Sequence, residues 1–280
     1  MKLSQDAPAV ALIGGTGLER LPPEWQVDRL TVRTPYGDAA VLDVRLGDTR
    51  LRLVPRHGEA HHLLPHRVNY HANIAAIVQS GIRRVYATNA VGSLRPDIAP
   101  GTLLALDDFI DMTRARPISF LDHPASGEPP VRHADLSTPY CPEMRQALLG
   151  AAEHAGIALR HAGTYVCVDG PRYESPAEVR MFGSWGGDVV GMTGIPEVVF
   201  AREAGLCYSA VAIVTNLGAG LGSSPLLHGA VEQQMAGAAR RVLELIAAAT
   251  RILPAEPQCP CAKSAGPPAQ STPEPRRSGD

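Results

Sequence analysis

The chain has 280 residues, 45% of them apolar, and a formal charge of only -2, which suits one good core. That balance, with no block of like charges, excludes the electrostatic footprint of a nucleic-acid or membrane-surface binder and favours a small-molecule partner. No apolar run approaches the roughly 18–20 residues of a membrane span, and MKLSQDAP is not a signal-type start, so a cytoplasmic location is expected.

In chain order, PAVALIGG, AAVLDVRLG, LRLVPR, RRVYATNA, GTLLALDDFID, TYVCVDG and SAVAIVTN read as strands bounded by Gly, Pro or Asp. Helical spacing covers 68–79, 143–154, 196–204 and 226–252. The alternation predicts a single α/β domain over 1–252. Its almost wholly apolar strands need helices on both faces, and its site belongs where the strands end. Residues 121–132 read as a polar loop and a candidate lid. From 253 to 280, seven prolines and no periodic apolar face predict a disordered tail that the fold does not need.

Five cysteines, Cys141, Cys167, Cys207, Cys259 and Cys261, are scattered apart from the last two. Their spacing suggests neither a disulfide framework nor a four-ligand zinc set, so no metal is expected. The pair in Cys-Pro-Cys reads either as exposed thiols without a role or as a pair able to oxidise or take a metal.

Chemistry is carried by short segments at strand ends. Ile13-Gly14-Gly15-Thr16-Gly17-Leu18 is a glycine turn whose N–H groups, with the Thr16 hydroxyl, suit an oxyanion; it also reads as a plain turn. It lacks the third glycine of a dinucleotide fingerprint and the lysine of a phosphate loop. Pro55-Arg56-His57-Gly58 offers a planar guanidinium fork and an imidazole for phosphate. His61, His62 and His66 follow, with no zinc-hydrolase spacing, and read as surface or substrate-binding groups. Thr88-Asn89-Ala90-Val91-Gly92-Ser93 lets a ligand approach the backbone closely, or is simply a tight turn. Gly170-Pro171-Arg172-Tyr173-Glu174-Ser175, before a helix, puts a ring able to stack on a base beside a carboxylate able to accept a base N–H. Val190-Gly191-Met192-Thr193-Gly194 adds a hydroxyl next to a methionine, by base rate a core residue, and Ile213-Val214-Thr215-Asn216 ends a buried strand on an amide that must find partners.

In this order and spacing, IGGTGL, PRHGEAHHLLPHRVNYHANI, NAVGSL, DGPRYESPAE and VVGMTGIPEVVFAREAGLCYSAVAIVTN resemble the trimeric purine nucleoside phosphorylase and methylthioadenosine phosphorylase family. The resemblance runs from about residue 9 to residue 252. It implies one domain around a mixed, distorted sheet, a homotrimer (with pairing of trimers left open), and inorganic phosphate as co-substrate without metal or organic cofactor. Phosphate falls to Thr16, Arg56, His57, the Ala90 backbone and Thr193, with Asn89 alongside. Met192 is placed against the ribose and Tyr173 against the base. His133 resembles a residue that reaches into a neighbouring subunit's site.

Within that family, adenine-type members carry aspartate where Asn216 stands, another two positions on, and serine where Glu174 stands. Glu174, Asn216 and Gly218 therefore imply 6-oxopurines such as inosine and guanosine. An ionised Glu174 accepts from the N1–H that these bases carry and adenine lacks, and Asn216 donates to O6 or N7. His228 resembles the residue that holds a 5′-hydroxyl; a slip of the intervening loop would put Leu226 or Leu227 against a methylthio group, so methylthioinosine is the alternative substrate. A hydrolytic nucleosidase and a non-catalytic purine-binding protein are the rival readings.

Overall fold

The computed structural model describes residues 10–15, 21, 25–47, 49–58, 62–122, 133–222 and 228–261. β1 (Val10–Gly14) is buried throughout because parallel strands flank it on both sides, β4 (Thr49–Pro55) and β5 (Arg84–Ser93). Beyond β4 the sheet continues through antiparallel β3 (Gly37–Leu46) to β2 (Gln26–Thr34), a largely exposed edge that the sequence reading left out. On the other side β5 runs parallel to the long β11 (Cys207–Leu217). β11 in turn pairs with β6 (Leu103–Ala105), and β6 with β8 (Leu159–Arg160).

β5 also gives the sheet its fork. Its far end, Gly92 and Ser93, pairs antiparallel with β10 (Val189–Gly191), which continues through parallel β9 (Thr164–Cys167) to β7 (Asp108–Asp111). GTLLALDDFID is therefore two strands, not one. The chain changes partners at Leu106, whose N–H bonds Ala210, and Asp107, whose N–H and Oδ1 both meet Gly163.

Alternate residues of the central strands face opposite layers. Ala11, Ile13, Val85, Ala87, Ala210 and Ala212 pack under α1 (Tyr70–Gln79) and α4 (Glu197–Glu203). Val10, Leu12, Tyr86, Val211 and Ile213 pack under α2 (Pro142–Ala155) and α5 (His228–Ile252). α3 (Pro176–Ser184) completes the set beside β10, starting in a capping box: the Ser175 hydroxyl takes Glu178 N–H, and the Glu178 carboxylate takes Ser175 N–H. Among the described residues, no helix is long and apolar enough to cross a membrane.

The expected boundary at 252 changes. Residues 253–261 stay on the body: Gln258 N–H donates to Glu143 at 2.8 Å, Arg84 donates to the Ala255 carbonyl, and Cys261 is only 1% exposed. Proline content misleads here because irregular backbone can still pack when side chains of the body satisfy its polar groups. The rest of the expected tail, 262–280, and 123–132 of the expected lid lie outside the described residues.

Candidate active site

Parallel pairing brings the phosphate-type motifs together. Gly14 stands opposite Pro55, Ile13 opposite Ala87, and Arg56 N–H closes on Gly14 O at 2.8 Å. The Gly15 turn and Arg56-His57 thus leave the sheet side by side, with Thr88 and Asn89 on the next strand. Arg56 is buried, and its fork is already engaged: Nε and Nη2 donate to Glu197 Oε2 and Oε1, and Nη1 donates to the Thr88 carbonyl, each at 2.8 Å. Tyr208 donates to the same carboxylate at 2.7 Å. Burial by itself would lower the Arg56 pKa, but the charge of Glu197 outweighs it and holds the guanidinium well above its ordinary value. A guanidinium has five N–H donors; with three spent on Glu197 and Thr88, the other two remain for a ligand. His57 Nδ1 lies 2.7 Å from the Leu63 carbonyl, an acceptor only, so Nδ1 carries the proton.

The opposite wall is built on β10. Thr193 Oγ1 accepts from buried Asn89 at 3.2 Å, which leaves the hydroxyl proton of Thr193 to point elsewhere. Its loop is pinned by Tyr165, whose hydroxyl oxygen accepts from Thr193 N–H and Gly194 N–H, and by Arg116. Arg116 donates to the carbonyls of Val168, Asp169, Met192 and Ile195 and to Tyr70 Oη, tying the loops after β9 and β10 to one side chain.

At the end of β11 the ladder with β5 skips a residue: Val214 pairs with Val91, but Asn216 pairs with Gly92. This bulge at Thr215 re-aims the strand end. The Asn216 amide, oriented by Thr215 Oγ1 on its oxygen at 2.8 Å and by the Leu217 carbonyl on its nitrogen at 2.9 Å, lies directly over Gly92. A Cβ at Gly92 would stand 3.1 Å from Asn216 Nδ2. The loop before α3 adds half-buried Tyr173 and Glu174, 8% exposed, to the same lining. Glu174 Oε1 is buried without a hydrogen-bond partner, and burial pushes the carboxyl above its ordinary pKa.

These groups surround a cavity of about 390 Å³, in the size range of small-molecule sites. Arg56, His57, Ala90, Tyr173, Glu174, Met192, Thr193 and Asn216 all line it, while Asn89 stands behind Thr193. Met192 is thus a lining residue, not the core residue that base rate suggests. His62 also lines the cavity; His66 is exposed and does not. His133 is exposed and outside the cavity of the single chain. Thr16, His61 and the side chain of His228 lie outside the described residues, although His228 opens α5 as expected. Sequence reasoning missed Glu197 and Arg116, which aim the site from behind, and the apolar lining from Leu63, Leu64, Pro65 and Val231. The strong turn signal of Pro65 and the position of Val231 one helical turn after His228 were the available signs.

Residues 9–251 match the family model of the phosphorylase superfamily. The chain belongs to the phosphorylase superfamily. It is 43% identical over 256 residues to a 6-oxopurine nucleoside phosphorylase of Pyrococcus furiosus, covering 91% of this chain and 96% of that one. It is 41% identical over 256 residues, with the same coverage, to a probable S-methyl-5′-thioinosine phosphorylase of Methanopyrus kandleri. Among solved structures, methylthioadenosine phosphorylase from Schistosoma mansoni in complex with adenine superposes with a TM-score of 0.82 at 31% identity, over 89% of this chain and 93% of that one. In this phosphorylase the matched span holds every lining residue of the cavity and stops short of the packed extension 253–261.

Proposed function

We propose that the chain is a purine nucleoside phosphorylase that cleaves 6-oxopurine nucleosides with inorganic phosphate, releasing the free base and ribose 1-phosphate. One observation carries the choice of base: Glu174, whose buried Oε1 has no hydrogen-bond partner, lines the cavity together with Tyr173 and Asn216. A buried acceptor without a partner costs stability unless a ligand supplies the donor. The N1–H of hypoxanthine or guanine is such a donor, whereas the bare N1 of adenine would meet the carboxylate lone pair to lone pair.

In this reading phosphate sits between Arg56, His57 and Thr193, with the Ala90 backbone alongside and Thr16 an expected further donor, and the sugar lies against Met192. The C1′–N9 bond breaks with its electron pair passing to the purine. Positive charge builds on the ribose and is met by phosphate, one of whose oxygens then bonds C1′. Asn216 donates to the base as its negative charge grows, and Glu174 holds N1–H. Catalysis is positioning and electrostatics, with no covalent enzyme intermediate and no cofactor in the reaction.

The apolar lining from Leu64, Pro65 and Val231 favours a second substrate, S-methyl-5′-thioinosine, whose thioether would pack there. We also propose a homotrimer, in which exposed His133 of one subunit completes a neighbour's site. The exposed Ile118, near Arg116 in the chain, is an apolar group such an interface would cover.

The experiment is base release from inosine, guanosine, adenosine, methylthioinosine and methylthioadenosine, with and without phosphate. Phosphate-dependent turnover of the 6-oxopurine substrates is expected. Cleavage without phosphate would establish a hydrolase instead, and binding without turnover a silent purine binder. Asn216→Asp should shift preference toward adenosine; an unchanged ratio removes Asn216 from base selection.

A further inference from the structure

Four of the five cysteines converge far from the cavity. Cys141 precedes α2, Cys207 begins β11, and Cys259 and Cys261 lie on the packed extension. All are free thiols, their four Sγ atoms lie within 4.8 Å of one another, and Cys207 and Cys259 sulfurs are 3.2 Å apart. Three of the four are buried and Cys259 is half-buried.

Backbone bonds on both sides hold this arrangement. Cys141 N–H donates to the Tyr208 carbonyl at 2.7 Å, fixing the start of α2 to the start of β11. Glu143, in the first turn of α2, takes Gln258 N–H and an N–H of Arg84, and Arg84 donates onward to the Ala255 carbonyl. The extension therefore delivers its two thiols to the two in the body at a defined place.

We propose that Cys141, Cys207, Cys259 and Cys261 form a four-thiolate zinc site that fastens the C-terminal extension to the body. A tetrahedral zinc with sulfur at about 2.3 Å separates its ligands by roughly 3.8 Å. The observed sulfurs bracket that spacing. A soft, all-thiolate donor set selects zinc over magnesium or calcium. On binding, each thiol passes its proton to solvent, leaving a zinc centre of net charge two minus.

The site would be structural. None of the four cysteines lines the cavity, and Cys207 and Asn216 sit at opposite ends of β11. Zinc removal should loosen the extension and leave base selectivity alone.

The test is metal analysis of the full-length chain, with intact mass and cobalt replacement. About one zinc per chain is expected through gel filtration, with a tetrahedral-thiolate cobalt spectrum after exchange. The Cys259→Ser/Cys261→Ser double variant should lose the metal and melt lower while keeping its inosine preference. The proposal is overturned if the reduced wild-type chain takes up no zinc or cobalt under anaerobic dialysis. It is equally overturned by a mass deficit of two disulfides in a chain that binds no metal once reduced, or by zinc that stays with the double variant.

Discussion

Arg56 and Glu197 meet as a buried fork, two parallel N–H to oxygen bonds at 2.8 Å between side chains that are each 1% exposed. The pair joins the end of β4 to the start of α4 and fixes the plane of the guanidinium. With the charge balanced, the pull on a phosphate comes from the aim of the remaining N–H groups more than from excess positive charge. Removing one partner of such a buried pair typically costs about 3–5 kcal/mol. Glu197→Gln should therefore lower unfolding stability by about 3 kcal/mol in urea titration and raise the KM for phosphate at least tenfold, with a smaller effect on the KM for inosine. A phosphate KM within twofold of the parent would show that Glu197 does not aim Arg56.

Gly15 gives a more local probe of the same wall. A Cβ there would stand 2.9 Å from Arg56 Nη1 and 3.8 Å from His57 Nε2. Arg56 has no room to give because three of its bonds are spoken for. Gly15→Ala should weaken phosphate binding by roughly 10- to 100-fold, the loss of one charge-assisted hydrogen bond of ~1.5–3 kcal/mol. Nucleoside affinity measured without phosphate should hardly move. A parallel loss of both would place Gly15 in general packing.

Much of this wall was legible because its residues end strands: Gly15, Arg56, His57 and Asn216 each follow an apolar run, and parallel sheets collect such ends, whereas Asn89 lies inside β5, where the sequence suggested a turn. Glu197 was not legible in that way, since a carboxylate in the first turn of a helix ordinarily reads as a solvent-facing group favoured by the helix dipole. Arg116 sits in a polar stretch with no periodicity, and its partners at 168, 169, 192 and 195 are joined to it only by tertiary folding. β10, three residues long, is too short to show alternation, so VVGMTG is missing from the strands that the sequence predicts. The cysteines looked scattered because three separate segments supply them.

Glu174 makes base selectivity depend on pH. Burial raises its pKa above the ordinary glutamate value, so the carboxylate that accepts N1–H is present at high pH and is lost as pH falls through that elevated value. The protonated acid would instead donate, and adenine N1 would accept. The inosine-to-adenosine ratio of kcat/KM should therefore shrink toward acid pH. Glu174→Gln, able to donate or accept at any pH, should narrow the ratio by roughly 10- to 100-fold and flatten this pH dependence. A ratio that stays constant with pH in the parent enzyme would remove Glu174 from recognition of N1.

Arg116 holds the two halves of the cavity in one frame. Its guanidinium reaches Val168 and Asp169 after β9, Met192 and Ile195 after β10, and Tyr70 at the start of α1, and it stacks 5.5 Å from the Tyr70 ring. Lysine keeps the charge but has three donors on a point-like head, which cannot span carbonyls from two loops. Arg116→Lys should cost about 2–3 kcal/mol of stability through carbonyls left unsatisfied. It should also lower kcat more than it raises either KM, because Met192 and Thr193 lose their relative placement while Arg56, Glu174 and Asn216 keep theirs. If urea titration shows the stability loss but kcat is unchanged, Arg116 supports the fold alone and the β10 loop is held in register by Tyr165 and its two N–H donors.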